Sequence, residues 1–173
     1  MKIVKFLLVC VALLSGFATF ASPAASPVDS SAFVTIVLVR HAEKASADPD
    51  TELSEAGLAR AKRLATLLKD FRFNEIYATP FKRTRGTIEA IAQQQKKEIA
   101  AYKTNDLKAF ADTLRTKWGR TILVAGHSNT TPNLVNALLK TERFPAMDET
   151  DYGKVFLVTI HKSGAVQVNV LNY

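Results

Sequence analysis

Cysteine is nearly absent: Cys10 stands alone in 173 residues, so no disulfide can form within the chain and no stapled mini-scaffold is at issue. Histidine is scarce too, limited to His41, His127 and His161. No apolar run reaches the roughly 20 residues that cross a bilayer; the densest, Phe6 to Leu14, spans about nine. No internal repeat or low-complexity tract occurs. No basic stripe interleaved with aromatics marks a nucleic-acid surface. What remains is plentiful apolar material, 47% of the chain, distributed with 23% charged residues. That composition excludes disorder, and the length suits one globular domain with a sizeable core.

The charge balance is the unusual feature. Lys and Arg number 23 against 16 Asp and Glu, a net +7. Such an excess fits nucleic acid, an anionic membrane surface or a small anionic substrate. Part of it belongs to the N-terminus. Lys2 and Lys5 precede the short apolar stretch, Ser15-Gly16 breaks it, and Thr19-Phe20-Ala21 places small residues at −3 and −1 of a cleavage site. Residues 1–21 are therefore expected to be a cleavable signal peptide, with 22–32 a Pro- and Ser-containing flexible leader and 33–173 the domain. Val9 is too bulky before Cys10 for a lipoprotein signal. Cleavage would leave +5 and no thiol, excluding a cysteine nucleophile, and would place the domain in the periplasm or outside the cell without stable membrane insertion.

Val34 to Val39 is a β-branched, aliphatic run typical of a strand buried on both faces, and Thr121 to Ala125 is a second. Glu75 to Ala78 reads as a short strand and Glu98 to Tyr102 as a weak one. Ser54 caps a helical pattern with Leu58, Ala61, Leu64, Ala65 and Leu68 on one face up to Asp70. Thr79-Pro80 and Thr131-Pro132 each read as a cap followed by a first-turn proline, the second opening a helix to Leu139. Leu107 to Trp118 is another amphipathic helix. Lys154 to Ile160 and Ala165 to Val170 form a hairpin through Lys162-Ser163-Gly164. The alternation predicts an α/β three-layer sandwich, its mainly parallel sheet flanked by helices and edged by the antiparallel hairpin. Residues 141–153 are a loop long enough to form a rim or lid.

Both strongly buried strands end in a histidine, Arg40-His41-Ala42-Glu43 and Gly126-His127-Ser128-Asn129. Ligands bind beyond the carboxyl ends of such strands. Glu75–Ala78 delivers Arg83, with Arg85 in reserve, to the same edge at a helix N-terminus, which itself favours anions. Two histidines and two arginines around one crevice describe a site for a phosphoryl dianion. A neutral imidazole can attack phosphorus, the planar guanidinium forks of Arg40 and Arg83 can clasp its oxygens, and a protonated His127 can donate to them.

These segments are similar to the blocks of the histidine phosphatase superfamily, which includes the cofactor-dependent phosphoglycerate mutases. Arg40-His41-Ala42-Glu43 resembles its Arg-His-Gly-Glu signature, and Leu53 to Ala61 its next block. Tyr77 to Thr84 resembles the segment bearing the second arginine, and Gly126 to Asn129 the second-histidine block. The resemblance spans about residues 34–140 and implies a phosphoglycerate mutase-like fold. It further implies His41 as nucleophile, phosphate binding by Arg40 and Arg83, and a pocket completed by His127. Ala42 replaces the usual glycine and Gly86 a common glutamine.

Asn129 joins the candidate phosphate ligands. The proton donor is open between Glu43, Asp106 and an acidic residue of the 141–153 loop. His161, in the last hairpin, is expected to be structural, and Arg60 to form a salt bridge. Ser128 lacks the G-x-S-x-G context of a serine hydrolase. His41, Glu43 and His127 would be a minimal zinc set, but the neighbouring arginines repel a cation, so neither metal nor other cofactor is expected. The sequence thus predicts an exported, metal-independent phosphatase acting on a small phosphorylated substrate, with no nucleic-acid partner. A phosphomutase using the same site, or a non-catalytic phosphate- or phosphoglycan-binding module, are the alternatives. Specificity is expected in loops 44–52 and 141–153.

Overall fold

The computed structural model describes residues 29–173; the expected signal peptide and most of the leader lie outside them. Six strands form one sheet: β1 (Phe33–Arg40), β2 (Glu75–Ala78), β3 (Ile99–Ala101), β4 (Thr121–Gly126), β5 (Lys154–His161) and β6 (Val166–Asn172). The order is β3-β2-β4-β1-β5-β6. β3, β2, β4 and β1 run parallel, while β5 and β6 add the antiparallel edge.

Four helices, α1 (Glu55–Leu67), α2 (Lys82–Gln94), α3 (Leu107–Arg115) and α4 (Thr130–Leu139), cover both faces. Alternation along β1 sorts its side chains between them. Val34, Ile36 and Leu38 join Leu114, Leu134 and Leu138 from α3 and α4, whereas Val37 and Val39 join Leu64, Ile88 and Ile91 from α1 and α2. Burial of both faces explains why β1 and β4 read as continuous apolar runs. No helix among the described residues is long and apolar enough to cross a membrane.

Several boundaries differ from expectation. Ser54 does cap α1, accepting from Gly57 N at 3.1 Å, but Leu58 is 59% exposed. The buried stripe of α1 runs through Gly57, Ala61, Leu64 and Ala65, one position out of phase with Leu58. Gly57 belongs to that stripe because its backbone lies against Glu43, where a Cβ would collide with the Glu43 carbonyl. Thr79-Pro80 does not open α2: Phe81 is the N-cap, without a side-chain cap bond. Nor does Thr131 cap α4; Asn129 does, and Pro132 sits inside the first turn. α3 ends at Arg115, short of Trp118.

Candidate active site

The parallel pairing of β1 with β4 sets Arg40 beside Gly126, so the next residue on each strand is a histidine. The ladder continues one bond further, His41 N donating to Gly126 O at 2.9 Å. The two imidazoles therefore meet at the sheet edge, centroids 5.4 Å apart and nearly edge-on. Position 126 must be glycine on packing grounds, because a Cβ there would stand 2.8 Å from both Thr131 Oγ1 and the Tyr102 hydroxyl.

His41 is 4% exposed. Its Nδ1 lies 2.7 Å from the Ala42 carbonyl, an acceptor only, so Nδ1 carries the hydrogen and Nε2 keeps its lone pair. Thr87 on α2 steadies this turn, accepting from Ala42 N at 2.9 Å and donating to Arg83 O. His127 is held from the other nitrogen. Its Nε2 lies 2.9 Å from Thr79 Oγ1, itself 2.9 Å from Thr84 Oγ1, and the Thr84 hydroxyl donates to the carbonyls of Thr79 and Phe81. With the Thr79 hydroxyl donating to Thr84, His127 Nε2 is the donor to Thr79. Nδ1 is then the acceptor facing Arg83 Nη2 at 3.4 Å, which agrees because a guanidinium only donates.

Burial is the main force that pushes both histidines down to about 4, aided by Arg83 and Arg40; a hydrogen bond to Ala42 partly opposes this at His41. Both rings are neutral at neutral pH. The pair thus offers a lone pair at His41 Nε2 and a basic nitrogen at His127 Nδ1.

Arg40 is 1% exposed, an unusual place for a guanidinium. Its Nη1 donates to the carbonyls of Asp148 and Asp151 at 2.6 and 3.1 Å, and its Nη2 to Glu149 at 3.1 Å. Tyr152, not singled out in the sequence, stacks on Arg40 at 4.2 Å and lies 6.0 Å from His41. Arg40 Nε is buried without a partner, as is Arg83 Nε. Two orphaned guanidinium donors beside two neutral imidazoles are the arrangement an anion would satisfy. Arg83 is otherwise held by Pro49 O at 2.5 Å and by the Phe81 ring at 4.5 Å. Arg85 points away, to Ile99 O.

The remaining candidates are engaged with other partners. Both Glu43 oxygens engage Arg60, as close as 2.7 Å, and this bidentate pair holds the Glu43 carboxyl below its usual range. A carboxylate so fixed is a poor proton donor. Asp106 caps α3 through Ala109 N. Asn129 uses its amide oxygen on Thr130 N. His161 packs on Phe33 and bonds Ser163, a structural place. Gly86 faces Leu53, not the histidines. Among the described residues, no group of three or more His, Asp or Glu side chains could hold a metal ion.

The 141–153 loop closes the site. Met147 N donates to Ser128 O at 2.9 Å, and Glu149 bridges Ser128 Oγ and Arg40, each at 3.1 Å. Thr79, Thr84, Thr87 and Tyr152 escaped the sequence reading. The available signal was the Thr79–Thr84–Thr87 spacing around Arg83.

The model of the histidine phosphatase superfamily (branch 1) matches residues 36–109. The search of curated proteins gave no match. Among solved structures, a mycobacterial glucosyl-3-phosphoglycerate phosphatase superposes with a TM-score of 0.68 at 15% identity, covering 81% of this chain and 99% of that one. The protein histidine phosphatase SixA, complexed with tungstate, gives 0.61 at 20% identity, covering 80% and 96%. A phosphoglycerate mutase from Bacillus anthracis gives 0.66 at 15% identity, covering 82% and 94%.

Proposed function

We propose that the chain, whose residues 36–109 match the model of the histidine phosphatase superfamily (branch 1), is a phosphatase of that superfamily working through a phosphohistidine at His41. The observation that carries this reading is the His41 tautomer: Nδ1 is bonded to Ala42 O, so the lone pair at Nε2 is free to attack. Arg40 and Arg83, through their unpartnered Nε groups, hold the equatorial phosphoryl oxygens. A dianion beside His127 raises its pKa and draws a proton onto Nδ1, which then stabilises charge on the same oxygens. Water attacks the phosphohistidine, releases phosphate and restores the neutral imidazole.

The guanidinium pair supplies the positive charge, so the reaction needs no metal. The substrate is a small phosphorylated compound, and the N-terminal 1–21 segment directs the domain out of the cytoplasm. A mutase would share the covalent step and differ only in its acceptor.

The test is hydrolysis of p-nitrophenyl phosphate with a chelator present. Wild type turns over, His41→Ala does not, and rapid quenching traps an acid-labile, base-stable phosphoenzyme. Full activity in His41→Ala would refute the scheme.

A further inference from the structure

We propose that Glu149, on the 141–153 loop, is the proton donor to the leaving group, a role that rests on the phosphohistidine reading above. Among the described residues, Glu149 is the carboxylate that hydrogen-bonds the constellation itself. It spans Arg40 Nη2, next to the nucleophile, and Ser128 Oγ, next to the second histidine, both at 3.1 Å. The other acids near this edge are committed. Glu43 is locked to Arg60, Asp106 caps α3, and the Asp151 carboxylate pairs with Lys154. Asp148 presents its backbone carbonyl to Arg40.

Glu149 is also placed where a donor must stand. It is 75% exposed and bonded to a buried arginine, so its carboxyl can exchange a proton with solvent between turnovers. With Ser128 and Arg40 as partners its carboxyl sits below the usual range and is ionised. A phosphoryl dianion arriving at the unpartnered Nε of Arg40 sets a like charge beside the Glu149 carboxylate on the same guanidinium. Like charge at close range raises a carboxyl pKa, so substrate binding itself loads Glu149 with a proton.

In the first half-reaction His41 Nε2 bonds phosphorus and the ester P–O bond breaks. Its electron pair goes to the leaving oxygen, which takes the Glu149 proton and departs as the alcohol. In the second half-reaction Glu149, now a carboxylate, accepts a proton from water as the water oxygen bonds phosphorus. The N–P bond breaks, its pair returns to Nε2, and phosphate leaves.

The experiment compares two substrates in wild type and Glu149→Gln: p-nitrophenyl phosphate, whose leaving group needs little protonation, and glycerol 2-phosphate, whose alkoxide needs a proton. Both present the same phosphoryl group, so weakened phosphate binding would slow them equally. The expected result is a rise of about 100-fold in the ratio of aryl to alkyl kcat/KM, the scale of general acid catalysis. A ratio unchanged by Glu149→Gln overturns the assignment, whatever the absolute rates. Wild type that hydrolyses the aryl ester but ignores the alkyl ester overturns it equally. Retained turnover in His41→Ala would instead sink the covalent reading beneath it.

Discussion

Thr79 Oγ1 lies 2.9 Å from His127 Nε2, and through Thr84 it decides which nitrogen of that histidine faces Arg83. Thr79→Val removes the acceptor and leaves a buried imidazole N–H unpaired. Such a loss costs about 1–3 kcal/mol, so chemical denaturation will show a destabilised protein. Because the ring also loses its orientation, kcat falls about tenfold or more, at about 1.4 kcal/mol per decade, with less change in KM. Thr79→Ser, which keeps the hydroxyl, restores most of both.

Acid destabilises the fold through the two site histidines. Their folded-state pKa values are about 4, against about 6.5 for an unperturbed histidine. Between those limits the unfolded chain binds more protons, so stability is full above about pH 6.5 and declines as pH falls towards about 4. Inorganic phosphate, by favouring the protonated rings, will flatten that decline. Thermal melts across this window, with and without phosphate, check it; an identical slope in His41→Gln/His127→Gln would contradict it.

Arg83 and Arg85 are two residues apart and differ in task. Arg83→Lys exchanges a fork for a point charge beside His127, and kcat/KM falls by about one to two decades, matching a charged hydrogen bond of about 1.5–3 kcal/mol. Arg85→Ala loses only its bond to Ile99 O and keeps near wild-type turnover. Equal damage from both would mean that the arginine has been misassigned.

Glu43 and Arg60 form a half-buried pair that holds α1 to the turn after His41. Arg60→Ala is expected to destabilise by about 1 kcal/mol. Glu43→Gln should leave the aryl-to-alkyl substrate ratio where wild type has it. A shift in that ratio would return the proton donor to Glu43.

The order of elements was legible because each carries its own period: unbroken apolar runs for the strands buried on both faces, and a helical stripe for α1. Arg40, His41, Arg83 and His127 were legible because three parallel strands must end at one edge. The caps were not. Thr79-Pro80 and Thr131-Pro132 look like helix openings, yet Thr79 is drawn inward by His127, and Asn129 reaches Thr130 N first. Tyr152 was hidden for a different reason. It lies far along the chain from Arg40 and reaches it only because the Asp148 and Asp151 carbonyls fold the loop onto the guanidinium.

The ladder from Arg40–Gly126 to the His41 N–Gly126 O bond has a further consequence for how the protein fails. The spacing of the two imidazoles belongs to the central strands, the part of a domain that opens only on global unfolding. Fraying of the rim loops would alter which substrates enter but leave the pair in register. Separating the pair requires unzipping β1 from β4, and with them both hydrophobic layers. Turnover of a small, undemanding ester and amide-exchange protection of β1 and β4 will therefore vanish in a single transition, without an inactive folded intermediate between them.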